Sequence, residues 1–311
     1  MERIVECVPN FSEGRNLETI ASIVEAVESV ENAFVLSTHS DADHNRLVIT
    51  FVADPGSVVA AAVQAVRVAA ERIDLRNHTG VHPRLGATDV LPFVPIRNVS
   101  MDDCVRLAHE AGARIARELE IPIYFYGRAA LVETRVNLED VRRGGFERLR
   151  EDTPALSERA PDVAPASGSG RVHPSAGATI VGARPILIAF NVNLHTTDIS
   201  IGRRIARQVR SRDGGLPFVK ALGLYLGEQG MVQVSMNLLD YKVTGLREVF
   251  EAVRREAEAS GVIVAGSEIV GLVPQDALDR SAGYDLQLTN FTRDLVLEQR
   301  IAARLASARA K

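Results

Sequence analysis

Apolar and polar positions alternate along this chain in two rhythms. The short apolar run RIVECV (Arg3 to Val8) predicts a buried strand. A loop, PNFSEGRN, follows, and then Leu17, Ile20, Ala21, Val24 and Val27 recur at the three-and-four spacing of a helix face. AFVLST and RLVITFVAD read as strands, PGSVVAAAVQAVRVAAERI as a helix with Pro55 near its first turn, and VLPFVPI as another strand. The order is β-α-β-β-α-β, a split βαβ unit. Ser100 with Asp103 predicts a capping box, and Val105, Ala108, Gly112, Ile115 and Leu119 mark the helix behind it. IPIYFYG then predicts a strand and NLEDVRRGGFERLRE a short helical annex.

From Glu151 to Ala178 the periodicity stops, which predicts either a linker or a functional loop. Beyond it the first order returns. RPILIAFNVNL is a strand, DISIGRRIARQVR a helix, and FVKALGLYLG with MVQVSMNLLD a hairpin. Leu246, Val249, Phe250, Val253 and Ala257 then line a helix, and VIVAGSEIV closes as a strand. The tail from Pro274 to Ala310 reads as mostly helical, with Leu297, Ile301 and Leu305 as its apolar stripe. The expected fold class is α+β, with two ferredoxin-like (βαββαβ) subdomains, residues 1–178 and 179–311, each with helices on one sheet face. Two bare sheet faces are covered most simply by facing each other across a groove, within the chain or across a dimer.

Composition narrows the function classes. A chain of 311 residues with net charge −4 and 24% charged residues has no polybasic run to track a nucleic-acid backbone. Cys7 and Cys104 form no CxxC pair, so reduced thiols in a cytoplasmic protein are expected. The N-terminus carries Glu2 and Glu6, and no apolar run reaches the ~18 residues of a membrane span, so neither a signal peptide nor a membrane partner is expected. Lys occurs only at Lys220, Lys242 and Lys311; all other cations are Arg, through compositional bias or because some grip carboxylates bidentately.

The densest chemistry lies in RNHTGVHPRLGATDVLPF. His78 and His82 are four apart, the spacing of a helical zinc pair, but Gly80 and Pro83 oppose a helix there. His82, between Gly80 and Pro83, sits on a tightly shaped backbone, as either a proton carrier or a tie within the loop. Arg84 either binds an anion or caps a helix; Asp89 either starts the next strand or orients His82. HSDADHNR, with His39, Asp41, Asp43 and His44, has metal-ligand types, but such short clusters are more often solvated turns, and no metal is expected. ASGSGRVHPSAGAT offers backbone amides to a ligand, yet GxxxxGK[ST] is missing and no Lys precedes Lys220, which excludes a P-loop.

VPNFSEGR, DHNR, HTGVHPRLGATDVLPFVP, IPIYFYG, PSAGATIVGARPILIAFNVNL, VQVSMNLLD, VTGL and GLVP occur together in order. Together they make the chain resemble the glutamate formiminotransferases over nearly its whole length, in the stand-alone form without a cyclodeaminase. The resemblance implies transfer of a formimino group from N-formiminoglutamate to N5 of tetrahydrofolate, the co-substrate, by a cytoplasmic homodimer active in histidine degradation and one-carbon metabolism. It places the catalytic histidine at His82 and its acidic partner at Asp41, with Asp43 competing. It also implies a folate-binding segment at Ala164, Pro165, Ser167, Gly170, His173, Pro174, Ser175, Ala176 and Gly177. Arg84, Arg171 and Arg184, which lie in the matched segments, are the candidate carboxylate-binding cations, each otherwise a surface cation. Rival expectations are formyl transfer, 5-formyltetrahydrofolate cyclo-ligation and a non-catalytic folate-binding protein.

Overall fold

The computed structural model describes residues 2–80, 83–151, 159–168 and 172–309. It is α+β, with two sheets, and divides into units Met1–Arg184 and Pro185–Lys311. The expected boundary after residue 178 therefore moves to 184. The reason is a strand, Thr179–Ala183, that belongs to the first sheet.

In the first unit, β1 (Ile4–Cys7) and β2 (Asn10–Phe11) form one interrupted strand. Pro9 has no N–H to donate, though its carbonyl still accepts from Ile49. Then come α1 (Leu17–Glu28), β3 (Ala33–Asp41), β4 (Arg46–Ala53), α2 (Val58–Arg72), β5 (Thr88–Arg97), α3 (Met101–Leu119) and β6 (Ile123–Gly127). Short helices α4 (Leu138–Val141) and α5 (Gly145–Glu151) precede β7 (Thr179–Ala183). The strands run β1-β4-β2-β5-β7-β6, with β3 outside β4. All pairings are antiparallel except those of β7, which lies parallel to both β5 and β6.

Helices form where expected, with two differences: the tail expected to be mostly helical is, among the described residues, α-helical only at Gln275–Asp279 and Leu297–Arg309, with turns and irregular backbone over residues 280–292 between them, and the first helix is shifted. Leu17 is 75% exposed, and the buried face of α1 runs through Ile20, Ile23 and Val27 instead. The capping box of α3 is present: the Ser100 hydroxyl accepts from the Asp103 amide and the Asp103 carboxylate accepts from the Ser100 amide. A Cβ on Gly112 would stand 2.7 Å from Phe125, so this glycine lets α3 press onto β6. His109 is structural there, bonded through Nε2 to the Ala129 carbonyl at 2.9 Å.

The second unit comprises β8 (Ile188–Leu194), α6 (Ile199–Val209), β9 (Val219–Leu226), β10 (Met231–Leu238), α7 (Leu246–Glu258) and β11 (Val264–Val270), then α8 (Gln275–Asp279) and α9 (Leu297–Arg309). Its sheet runs β11-β8-β10-β9, antiparallel throughout. Phe190, Val192 and Leu194 of β8 and Val232, Val234 and Met236 of β10 join one core with Ile205 of α6 and Val249, Phe250 and Val253 of α7. Alternate residues of the same strands therefore lie on the opposite face.

One tertiary fastening matters for function. The 75–89 loop is pinned on one side by a turn at 172–178: Leu75 N donates to Ser175 O, Ala87 N to Ala176 O, and Ala178 N to Leu85 O, at 2.9–3.0 Å. On the other side Ser12 bonds through its amide to Ala87 O and through its hydroxyl to Gly86 O. The turn is closed by paired His173 and Gly177 backbone bonds and by the Ala176 amide donating to His173 Nδ1 at 3.0 Å. Gly177 has φ +70°, and a Cβ there would meet Leu85 O at 2.2 Å. Only glycine satisfies both conditions.

Gly177→Ala should therefore cost about 2 kcal/mol or more, read as a lowered urea midpoint; a wild-type midpoint would mean the turn carries no such constraint. Burial pushes the pKa of both His78 and His173 below the ordinary histidine value, against opposing contributions from the Asn45 bond and the Glu120 charge respectively. The unfolded chain then binds protons first, near pH ~6.5. Stability from this source should be complete above that pH and fall as pH drops through it toward the folded values. Comparing urea midpoints at about pH 7.5 and 5.5, His173→Gln should flatten the decline that the wild type shows.

Candidate active site

A pocket in the first unit is lined by Asn10, Phe11, Ser12, Asn45, Arg46, His78, Arg84 and Asp89. Asn45 is its hub. It is 8% exposed with φ +49°, a left-handed conformation that asparagine tolerates better than other side chains with a Cβ. Its Oδ1 accepts from the Gly14 amide at 2.8 Å, its Nδ2 donates to Thr79 O at 3.0 Å, and its carbonyl accepts from His78 Nε2 at 3.2 Å. One residue thus joins the loop after β2 to the loop after α2. Gly80 completes the seam, since a Cβ there would lie 2.6 Å from His44 O.

The charges within the pocket are unevenly paired. Asp89, 2% exposed, accepts from the Leu85 amide at 2.7 Å through Oδ1 and binds Arg142 through Oδ2. Of the two roles open to Asp89, this one ties the loop at the start of β5. Arg84 donates to Glu147 Oε1 at 2.9 Å and to His78 O at 3.2 Å, but among the described residues its buried Nε has no partner, nor does Nε of Arg142 or Nδ1 of His78. Arg46 lies against Asn10 Oδ1, a neutral acceptor, through Nε at 3.0 Å and through Nη2. Burial and then the Arg142 charge push the Arg46 pKa down, with Asp89 and Asp41 opposing. Among the described residues Arg46 is thus a half-buried cation with no carboxylate in its hydrogen-bonding shell.

The expected site residues separate into groups. His82 lies outside the described residues; its neighbours Gly80 and Arg84 belong to the pocket's loop. Asp41 is bonded to His44, its Oδ1 accepting the His44 amide and its Oδ2 meeting His44 Nδ1, both at 2.8 Å. Burial raises the Asp41 pKa, but the two His44 bonds and the His44 charge outweigh it and leave the carboxyl below its ordinary value. Asp43 is exposed. Among the described residues no cluster of His, Cys, Asp and Glu is arranged to hold a metal ion. Arg184 stands at the end of β7 with its charge acting on Tyr126 and Cys7, and is not among the pocket's lining residues.

The segment expected to bind folate splits in two. Val163 bridges to Ile123, and beside it Ala164 is exposed and Pro165 buried; the Ser167 amide donates to Glu120 Oε2 at 3.0 Å. Gly170 and Arg171 lie outside the described residues. His173, Pro174, Ser175, Ala176 and Gly177 form the turn that pins the 75–89 loop, with Pro174 exposed and Ala176 buried. Arg46 and Asn45 were missed as site residues, although both stand in the DHNR motif. The available signal was an asparagine and an arginine directly after an acid–histidine turn.

The profile of the formiminotransferase domain, N-terminal subdomain, matches residues 4–184, and that of the formiminotransferase domain matches residues 189–308. The glutamate formimidoyltransferase of Thermoplasma acidophilum is 46% identical over 96% of this chain and 97% of its own length. That of Streptococcus pyogenes serotype M1 is 45% identical over 94% and 96%. The formimidoyltransferase-cyclodeaminase of Rattus norvegicus is 45% identical over 91% of this chain, which spans 52% of that longer protein. By its two matched halves and its end-to-end likeness to these relatives, the chain belongs to the formiminotransferase family.

Proposed function

We propose that this protein is a glutamate formiminotransferase that moves the formimino group of N-formiminoglutamate to N5 of tetrahydrofolate. The observation that carries the reading is 46% identity, end to end, to a protein named for that transfer. The scaffold is read as two ferredoxin-like halves. The strand order β11-β8-β10-β9 supports this for the second, and the β3-β4-β1/β2-β5 part of the larger sheet supports it for the first.

The chemistry sets what the site must supply. The amidine of the donor is protonated near neutral pH. N5 of the pterin attacks its carbon, the N5 proton must leave, and glutamate's nitrogen must gain a proton as its bond to that carbon breaks. The adduct carries less positive charge than the amidinium, so oxyanion donors are not the need here, in contrast to acyl transfer. One base that becomes an acid suffices, and His82 is assigned to it. Its support is the loop: Gly80 and Arg84 are held against Asn45, His44 and Glu147 at a polar pocket. Asp41, kept ionised by His44, is assigned to the amidinium or to the orientation of His82.

Donor and acceptor are both anions, so a protein of net charge −4 needs a local cation. Arg46 is assigned to a donor carboxylate, with Arg84 beside it. The support is the pairing pattern: Asp89 is taken by Arg142 and Glu147 by Arg84, while among the described residues Arg46 has only a neutral amide oxygen. A half-buried guanidinium without an anion is costly, and a bound carboxylate relieves that cost.

Purified protein given formiminoglutamate and tetrahydrofolate should release glutamate, and given formylglutamate should not; the reverse preference overturns the donor assignment. His82→Ala should lower kcat about 100- to 10,000-fold while 5-formyltetrahydrofolate still binds by calorimetry, and full turnover would remove His82 from the scheme. Arg46→Gln should raise KM for formiminoglutamate about 10- to 100-fold with a smaller change in kcat; an unchanged KM would leave Arg46 only as the tie to Asn10.

A further inference from the structure

Asp89 is the one acid among the residues that line the pocket of the first unit, and it shares that lining with the cations Arg46 and Arg84. A buried carboxylate beside guanidiniums is stable only when one of them holds it. Here the partner comes from elsewhere in the chain. Arg142, the residue that ends α4, binds Asp89 Oδ2 through Nη2, with the Asp89 side chain 3% and the Arg142 side chain 15% exposed. Glu147 of α5 accepts from Arg84 Nη2 at 2.9 Å, and the Phe146 amide of the same helix donates to Arg84 O at 2.9 Å. Two short helices thus supply one charge of each sign, and each goes to a different residue of the pocket.

Arg46 is left against Asn10 Oδ1. After burial, the largest influence on it, the Arg142 charge pushes the Arg46 pKa down and Asp89 pulls against that, so the three groups share one electrostatic neighbourhood. Asp89 therefore has a second route to neutrality, through Arg46, that the observed pairing leaves unused. Its Oδ1 is fixed by the Leu85 amide at 2.7 Å, which keeps the carboxylate at the pocket wall whichever cation holds Oδ2.

We propose that Arg142 is a positioning residue for this anion site: by occupying Asp89 it keeps an internal carboxylate off Arg46 and leaves that guanidinium open to a carboxylate of the substrate. The inference rests on the proposed function, in which Arg46 receives the donor. Asp89 is tethered in the same pocket, so once released it competes at a high effective concentration. The donor's apparent affinity then falls with the fraction of protein whose Arg46 stays open. A donor that does bind has displaced Asp89 and meets the same reacting groups, so the loss belongs in KM and not in kcat.

The test is a cycle of Arg142→Gln with and without Asp89→Asn, read as KM and kcat for formiminoglutamate, its calorimetric dissociation constant and the melting temperature. Arg142→Gln should raise KM about tenfold with kcat within about threefold of wild type. Adding Asp89→Asn should bring KM back to within about twofold of wild type, because the amide carries no charge to compete with and still offers Oδ1 to the Leu85 amide. A wild-type KM in Arg142→Gln overturns the inference. So does a raised KM that Asp89→Asn fails to restore, which would mean that Arg142 itself holds the substrate or only braces the fold. Should Arg142→Gln fail to fold, Arg142→Lys is read in its place; it keeps the charge but grips Asp89 less fully, so a smaller rise in KM is expected, again reversed by Asp89→Asn. No rise, or one that is not reversed, overturns the inference here too. Wild-type turnover and the Arg46→Gln variant report on the proposed function by themselves. Where both behave as expected and Arg142→Gln does not, only this inference falls; a wild type that neither binds nor turns over formiminoglutamate sinks both.

Discussion

The first unit depends on one mechanical constraint: the loop that runs from Leu75 to Asp89 is clamped at its two ends, at Leu75 and at Leu85–Ala87, by hydrogen bonds from the 172–178 turn and from Ser12. Unclamped, a glycine-containing loop of this length would sample many conformations and lose that entropy on each binding event. The clamp spends the entropy once, at folding. The 172–178 turn bonds at both ends, Ser12 adds to the second, and the Asp89 carboxylate closes that end onto the Leu85 amide and Arg142. Ser12, Asp89, Ala176 and Ala178 among the holding residues are buried, where a lost partner costs more than it does in water.

This constraint changes what the segment from Ala164 to Gly177 does. Its second half is occupied with structure: His173 caps the turn through Nδ1, the Ser175 and Ala176 carbonyls accept from the loop, and Gly177 passes under Leu85. Pro174 is the exposed residue of that stretch. A single turn thus couples the expected cofactor segment to the loop of His78 and Arg84. The two are joined directly by backbone hydrogen bonds of 2.9–3.0 Å rather than through a long network.

Charge is unevenly paired around the pocket of the first unit. Arg46, Arg84 and Arg142 stand there with Asp89 and Glu147, and among the described residues Nε of Arg84 and of Arg142 has no hydrogen-bond partner. On the second sheet, Glu268 is half-buried and its Oε1 accepts from Asn191 and Gln233. Neither arrangement is favourable for an empty protein, since half-buried charge without a counterion costs stability. Such tension is common where ligand groups complete the pairing.

The sequence alone determined most of the secondary elements of both units, because their apolar periods are strong and their caps are local: Ser100 with Asp103 announces α3, and alternation announces β8 and β10. Through its ordered motifs it also determined the family. It left β7 unread, since the value of Thr179–Ala183 as a strand comes from parallel partners far away in the chain, and no local pattern encodes them. It likewise hid Arg46, whose type and spacing match any surface arginine. Only tertiary structure decided that Asp89 would be taken by Arg142 and Glu147 by Arg84, leaving Arg46 beside a neutral amide. Propensity and periodicity are properties of neighbouring residues, whereas a charge becomes functional through which opposite charges the fold brings near it or keeps away.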